Sequence, residues 1–414
     1  MLLFDIVLLI LSAILLWFVM AIVLLLIVYA KEFKHLWQEP MLRYPFVIFD
    51  SDDWGVGPKD QTQALEELLS LFLSYQDRNH RHPRLALGLI LVEPDKSRIE
   101  ASQNEYYYKD LSDKAYTELV AVIKQGYKSH VFDLYLHGME HYWPASLMHN
   151  LHLEEVQSWL FGKTSHVTED LPSFLQSRWC DTSTLPSKPI PDAEIGKAVA
   201  QEQACFKRIF EQEPKVIVPP TFVWTEQVIN AYLQKNINLF ITPGRQFTGR
   251  TAEGGLISNG RTFYNGECDS SGACYLVRDI YFEPEKGHKA ARVLDDIVDH
   301  TACGRPSLIE MHRLNFLQNK SHSLNELKKL LDIISQKLPE TLYLTAEQLM
   351  GIYKSADKQL LVMKKPERFA IWLIRVKKFL EYKRLSKYSG VNYILEKASP
   401  FSTSGRLLLE NRSV

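Results

Sequence analysis

Cysteine is scarce in this 414-residue chain, and net charge is almost absent. The five cysteines, Cys180, Cys205, Cys268, Cys274 and Cys303, are an odd number, scattered, with no Cys-x-x-Cys pair. That argues against a disulfide framework. Cys268 and Cys274, which flank a turn-like Asp-Ser-Ser-Gly-Ala, are expected to be two reduced thiols in a loop. A formal charge of -1 gives no global attraction for polyanions, so nucleic acid is not an expected partner. A hydrophobic content of 46% excludes a disordered chain and allows one large domain or two smaller ones.

One stretch lacks charge altogether. Residues 6–30 contain no Asp, Glu, Lys or Arg; as a helix they would run about 37 Å, longer than a hydrocarbon core of roughly 30 Å. Asp5 precedes the run and Tyr29-Ala30-Lys31-Glu32 follows it. A cleaved signal peptide would want a positive start, a shorter apolar core and a small-x-small site, so an uncleaved single-pass anchor in the cell membrane is expected. Lys31, Lys34 and Arg43 follow the helix. By the positive-inside rule they place the bulk of the chain in the cytoplasm, with an extracytoplasmic domain as the alternative.

Beyond the anchor, apolar runs alternate with segments of helical spacing. Residues 44–50, 84–92, 130–136, 216–218, 237–242, 307–311 and 341–344 read as strands. Residues 113–125, 193–210, 225–234, 289–299 and 323–337 read as helices. The alternation predicts an α/β fold on a parallel core. Its distinctive polar residues fall just after strands, where a parallel barrel gathers its active site at one mouth. Residues 165–192, rich in Ser, Thr and Pro, read as a long loop able to cover that mouth. Residues 364–387 carry nine Lys or Arg with Phe369, Trp372, Leu373, Val376, Phe379 and Leu380 at helical spacing. They form a basic amphipathic helix suited to packing on the core or lying on membrane lipid. The expected organisation is an anchor over 1–30, a catalytic barrel over 44–350 and this basic tail over 351–414.

Three clusters bear chemistry. FDSDDWG puts Asp50, Asp52 and Asp53 at the end of a strand, fit to be caps, a metal ligand or a base. In HGMEH, His137 and His141 stand four apart and can meet one metal ion if the backbone turns between them. In LIEMHRLNF, His312 follows a buried strand and suits proton transfer near neutral pH.

In this order the clusters resemble the polysaccharide deacetylase family, the metal-dependent sugar N-deacetylases related to nodulation-type chitooligosaccharide deacetylases. Asp52-Asp53-Trp54-Gly55 is similar to that family's Asp-Asp-Gly with one residue inserted. His137 and His141 match its His-x-x-x-His, and residues 308–312 match its last strand ending in histidine. The resemblance implies a distorted parallel (β/α) barrel behind one transmembrane helix. It implies a divalent metal, Zn2+ first, on Asp53, His137 and His141, with Asp52 as general base and His312 as the acid for the leaving amine. The implied activity is removal of an N-acetyl or other N-acyl group from an amino sugar of a polysaccharide or lipid-linked glycan. One departure stands out. Where the family has arginine followed by proline, this chain has Val218-Pro219-Pro220-Thr221, leaving Arg245, Arg278 or Arg313 to orient Asp52. Trp224, Tyr142 and Trp143 are candidates for sugar stacking.

Three other readings compete. His-x-x-Glu-His fits an inverted zinc-protease motif with Glu140 as base, although that motif sits within a long helix. A glycosidase would use Asp50 or Asp52 with Glu283 and no metal. A degenerate barrel would leave a non-catalytic glycan-binding membrane protein.

Overall fold

The computed structural model describes residues 2–102, 105–162, 166–391 and 393. Met1, the first residue of the expected mouth-covering loop (Ser165) and the end of the basic tail (residues 394–414) lie outside the described residues. The chain divides into two compact units. One is Met1–Tyr44 with Val298–Arg305 and Ala356–Val414; the other is Pro45–Ile297 with Pro306–Ser355.

The second unit is built on nine parallel strands: β1 (Phe46–Gly55), β2 (Leu85–Ile90), β3 (Phe132–Leu136), β4 (Val216–Ile217), β5 (Leu239–Thr242), β6 (Cys274–Val277), β7 (Ile280–Tyr281), β8 (Ser307–His312) and β9 (Leu342–Tyr343). The order across the sheet is β6-β5-β4-β3-β2-β1-β8-β7, with β9 also pairing with β1. Runs such as LALGLI and FDLYL are buried on both faces, as strands flanked by helices must be. Helix Gln61–Leu73 shows why the helices cover them: Ala64, Leu65, Leu68, Leu69 and Phe72 repeat at the helical period and are all buried.

The two edge strands are consecutive in sequence. β6 and β7 lie at opposite ends of the order, yet only Arg278 and Asp279 separate them. Three Cα steps reach at most about 11 Å, so the sheet must curl until its edges nearly meet, and Arg278 sits at the seam. This is the expected distorted parallel barrel. β6 and β7 escaped the sequence reading because they are four and two residues long and are split by charged residues.

The cysteine expectation needs correction. Cys268 and Cys274 form a disulfide with their Cα atoms 4.0 Å apart. Asp269 folds the turn by accepting hydrogen bonds from Ser271 N at 3.0 Å and Ala273 N at 3.2 Å, and that closure brings the two thiols together. Cys180, Cys205 and Cys303 are free and buried.

In the other unit, Phe4–Val28 has a mean hydropathy of 3.1 and is long and apolar enough to cross a membrane, as an anchor or as a signal sequence. Helix Lys365–Glu381 realises the basic amphipathic segment. Its Arg375 is fully buried and donates to Leu36 O, Glu39 O and Pro40 O at the end of helix Ala30–Gln38, where a cation satisfies carbonyls left without helical partners.

Gly88 of β2 ties the fold to the chemistry. A Cβ there would lie 2.3 Å from Asp52 Oδ1 and 3.2 Å from the Asp52 Cα, whereas one on Gly196 would meet nothing within 4 Å. Gly88→Ala is therefore expected to lower the unfolding midpoint, at a cost of about 1–3 kcal/mol. Gly196→Ala, in a helix, should raise it by up to about 1 kcal/mol. Thermal unfolding of the two variants in detergent checks the contrast.

Candidate active site

Strand register places the acids and the histidine. In the β1–β8 pair, Asp50 lies opposite Glu310 and Asp52 opposite His312. Positions two apart share a face, so all four side chains gather on one side of the sheet. Asp53 would then face away, but the β1–β2 register shifts between Ser51 and Trp54, and Asp53 takes φ +71°. This bulge re-aims the chain and brings Asp53 to the His137 and His141 side of the mouth.

Asp53 Oδ1 stands 3.4 Å from His137 Nε2 and 3.6 Å from His141 Nε2. All three residues are buried, and their candidate ligand atoms lie within 4.8 Å of one another. The His137 Nδ1–H donates to Val218 O at 2.7 Å, which fixes the tautomer and leaves the Nε2 lone pair facing the cluster. Asp53 Oδ1 and His141 Nδ1 have no hydrogen-bond partner. Two imidazoles and a carboxylate converging with an unsatisfied acceptor fit a divalent cation, and this group could hold one. Burial pulls the His141 imidazole down to about 4, against the pull of Asp53. Burial would also raise Asp53, but the close approach of His137 and His141 holds it far below the usual carboxylate range.

The turn joining the histidines is not helical. His137–His141 form a bend, with Gly138 at φ +89° and Pro220 beside it. Glu140 is turned to Arg178 Nη1 at 2.7 Å and to the Tyr106 hydroxyl, which donates at 3.0 Å. The zinc-protease reading therefore fails. Its helix is missing, and its base is held in an ion pair.

Arg278 stands in for the arginine that the sequence lacks after β4. Its Nη1 reaches Asp50 Oδ1 at 2.9 Å, its Nη2 donates to Asp52 Oδ2 at 2.6 Å, and its Nε lies 3.2 Å from Glu310 Oε2. Phe222, from the Pro219-Pro220 turn, lies 5.3 Å from the guanidinium. Arg313 instead donates to Val56 O, and Arg245 is exposed on a hairpin strand. Burial raises Asp52, but the charge and hydrogen bond of Arg278 outweigh it and lower its carboxyl. Asp50 goes the other way, pushed up to about 7 by burial with Asp52 and Glu310 nearby, despite Arg278.

His312 is oriented by Glu283, whose Oε1 accepts from Nδ1 at 2.5 Å, and Asn315 Nδ2 holds the other Glu283 oxygen. Burial alone would lower His312, but the Glu283 hydrogen bond and the charges of Asp53 and Asp52 push it up to about 10. Among the aromatic candidates, Tyr142 joins the core cluster with Leu147 and Val156, Trp224 is fully buried, and Trp143 lies 5.2 Å from the Arg178 guanidinium. Glu310 and Arg178 were missed. Glu310 left a trace as a charge inside an apolar strand.

A model of glycosyl hydrolase family 57 matches residues 29–284, more than half of the chain. The chain belongs to glycosyl hydrolase family 57. The deacetylase resemblance is thereby overturned, and with it N-deacylation and the amino-sugar substrate. The physical reason lies in the motifs themselves. Acids and histidines at the strand ends of a curled parallel sheet can build a metal site without specifying which bond it serves. No curated protein matches this family 57 chain. Among solved structures it is similar to a family 4 carbohydrate esterase from Streptomyces lividans (10% identity, 78% of this chain and 98% of the other, TM-score 0.35). It is also similar to a 4-alpha-glucanotransferase from Thermococcus litoralis (8%, 85% and 48%, TM-score 0.38) and a family 4 acetyl xylan esterase from Clostridium thermocellum (12%, 74% and 91%, TM-score 0.33). At this level none of them speaks to the chemistry of this chain.

His312 gives a pH test. Its folded value lies above its ordinary 6.5, so its stabilising contribution is complete below about 6.5 and is lost as pH rises through about 10. NMR titration of the metal-free protein should place the imidazole near 10, and Glu283→Gln should bring it down towards 6.5. An unchanged value in the variant would remove Glu283 as the cause.

Proposed function

We propose that this family 57 chain hydrolyses or transfers an O-glycosidic bond of a glucan, with His312 as acid and Asp52 as base beside a cation site. The reading rests on family membership and on one geometric fact: Asp52 and His312 are register partners on adjacent strands, held in opposite charge states by Arg278 and Glu283. Glycosidic cleavage needs a proton donor for the leaving oxygen and a carboxylate for the incoming nucleophile. His312 gives its proton to the glycosidic oxygen as the bond from the anomeric carbon breaks. Asp52 takes the proton of the water or sugar hydroxyl that attacks that carbon. Arg278 keeps Asp52 ionised, and Glu283 returns His312 to its donor orientation.

Asp53, His137 and His141 would hold the cation, and an N,N,O ligand set favours zinc. When bound, the ion supplies Lewis acidity and fixed positive charge. We further propose that the apolar helix is a retained anchor and that the catalytic unit lies outside the cytoplasm. The Cys268–Cys274 disulfide supports an oxidising compartment, against the weak charge bias after the helix.

The test is product analysis of purified full chain, loaded with zinc, on a panel of glucan oligosaccharides of α and β linkage. New chain lengths are expected for one linkage class, with a loss of about 100-fold or more in Asp52→Asn and in His312→Ala. Unchanged chain lengths across the panel would end this reading.

A further inference from the structure

The apolar helix Leu2–Val28 is not bare on every side. Over residues 4–29 the shielded positions are Phe18, Ala21, Leu25 and Tyr29, which stand at the helical period and form one stripe, while the positions between them are exposed. The C-terminal end of the chain packs along this stripe. Phe379 meets Tyr29 edge to face with ring centroids 5.3 Å apart, and the Lys383 ammonium lies 5.7 Å from the Tyr29 ring and 4.3 Å from that of Phe379. Further along, Trp17 Nε1 donates to Ser389 O at 3.2 Å, and a Cβ on Gly390 would meet the Phe18 ring at 3.6 Å. Helix Arg384–Tyr388 therefore runs back along the apolar helix, antiparallel to it.

Depth follows from the helical rise. Trp17 lies about 16 Å down the helix from Val28, whereas a headgroup layer is about 5–8 Å thick. With Phe4–Val28 across a bilayer, the turn at Ser389 passes below the headgroups. Its backbone suits that setting. Lys387 N donates to Lys383 O, Ser389 N to Leu385 O, Gly390 N to Lys387 O and Ser389 Oγ to Ser386 O, and the Ser389 carbonyl accepts from Trp17. A segment in lipid must pair its polar groups in this internal way. The side chains turned outward are tyrosines and cations. Tyr382, Tyr388 and Tyr393 are 82%, 83% and 61% exposed. Arg384 and Lys387 are exposed as well and form no ion pair among the described residues. Tyrosines at the boundary of lipid and water, and long basic side chains that reach back to the headgroups, are what such an interface favours.

We propose that residues 382–391 insert beside the anchor at the surface of the bilayer and bind an acidic phospholipid headgroup through Lys383, Arg384 and Lys387. The inference rests on the retained-anchor reading above. The occupant of this surface is the bilayer because the segment is continuous with the face of a membrane-spanning helix, and its cations complement acidic headgroups. The clasp also gives the helix a structural role that a signal sequence lacks. Its removal would strip Phe379, Lys383 and Ser389 of partners.

The test uses full chain in vesicles of phosphatidylcholine and phosphatidylglycerol, with its N-terminus first read by mass spectrometry. A nitrobenzoxadiazole fluorophore on Tyr388→Cys should be quenched by a nitroxide near the top of the lipid acyl chains and protected from aqueous iodide. Cys180, Cys205 and Cys303 are buried, which confines labelling to the new thiol. By electron spin resonance, spin-labelled phosphatidylglycerol should be preferred over phosphatidylcholine about 5-fold in the immobilised lipid around wild type, and less than about 2-fold around a triple variant carrying Lys383→Gln, Arg384→Gln and Lys387→Gln. Quenching by iodide alone, or equal lipid preference in wild type and variant, would overturn the proposal, and an intact N-terminus would then leave the anchor reading standing. A mature chain that begins beyond Val28 would overturn both.

Discussion

One guanidinium answers three buried carboxylates, and both the closure of the sheet and the charge state of the mouth depend on it. Arg278 lies in the two-residue link between the edge strands and contacts Asp50 and Asp52 of β1 and Glu310 of β8. A barrel seam closed by so few residues has little backbone pairing of its own, and the ion cluster supplies contacts across it. Removing one partner from such a buried group generally costs about 3–5 kcal/mol, because the remaining charges stay desolvated. The cluster is also unbalanced. Three acids against one arginine push Asp50 up to about 7 while Arg278 holds Asp52 below the usual carboxylate range.

Much of this arrangement is legible in the sequence. β1, β2, β3, β5 and β8 are apolar runs bounded by polar residues, and Asp52, Asp53, His137, His141 and His312 follow strands, so their convergence at one mouth could be anticipated. Two things could not. The bulge at Asp53 depends on a register shift against β2 that no local pattern encodes. The role of Arg278 depends on the curl of the whole sheet, since 226 positions separate it from Asp52.

The family resemblance drawn from the motifs failed for a related reason. The motifs describe how a curled parallel sheet presents ligands and acids, and that presentation is compatible with cleavage of more than one kind of bond. The competing glycosidase reading, taken from residues alone, named the class to which the family belongs, and in this geometry the Glu283 it invoked is hydrogen-bonded to His312. What distinguishes the site is how its titratable groups are divided: an Asp52 clamped by Arg278, a His312 held by Glu283, and the N,N,O cluster of Asp53, His137 and His141.

The claim that this mouth breaks glycosidic bonds is tested most directly by following oxygen. Purified full chain would be incubated in 18O-labelled water with a glucan oligosaccharide and, in parallel, with an N-acetylated amino-sugar oligosaccharide, and the products weighed by mass spectrometry. The account predicts glucans of new chain length, carrying 18O at their new reducing ends where water is the acceptor and none where a sugar hydroxyl is, and no labelled acetate from the amino sugar. Labelled acetate released from an oligosaccharide of unchanged length, with the glucan left intact, would contradict it.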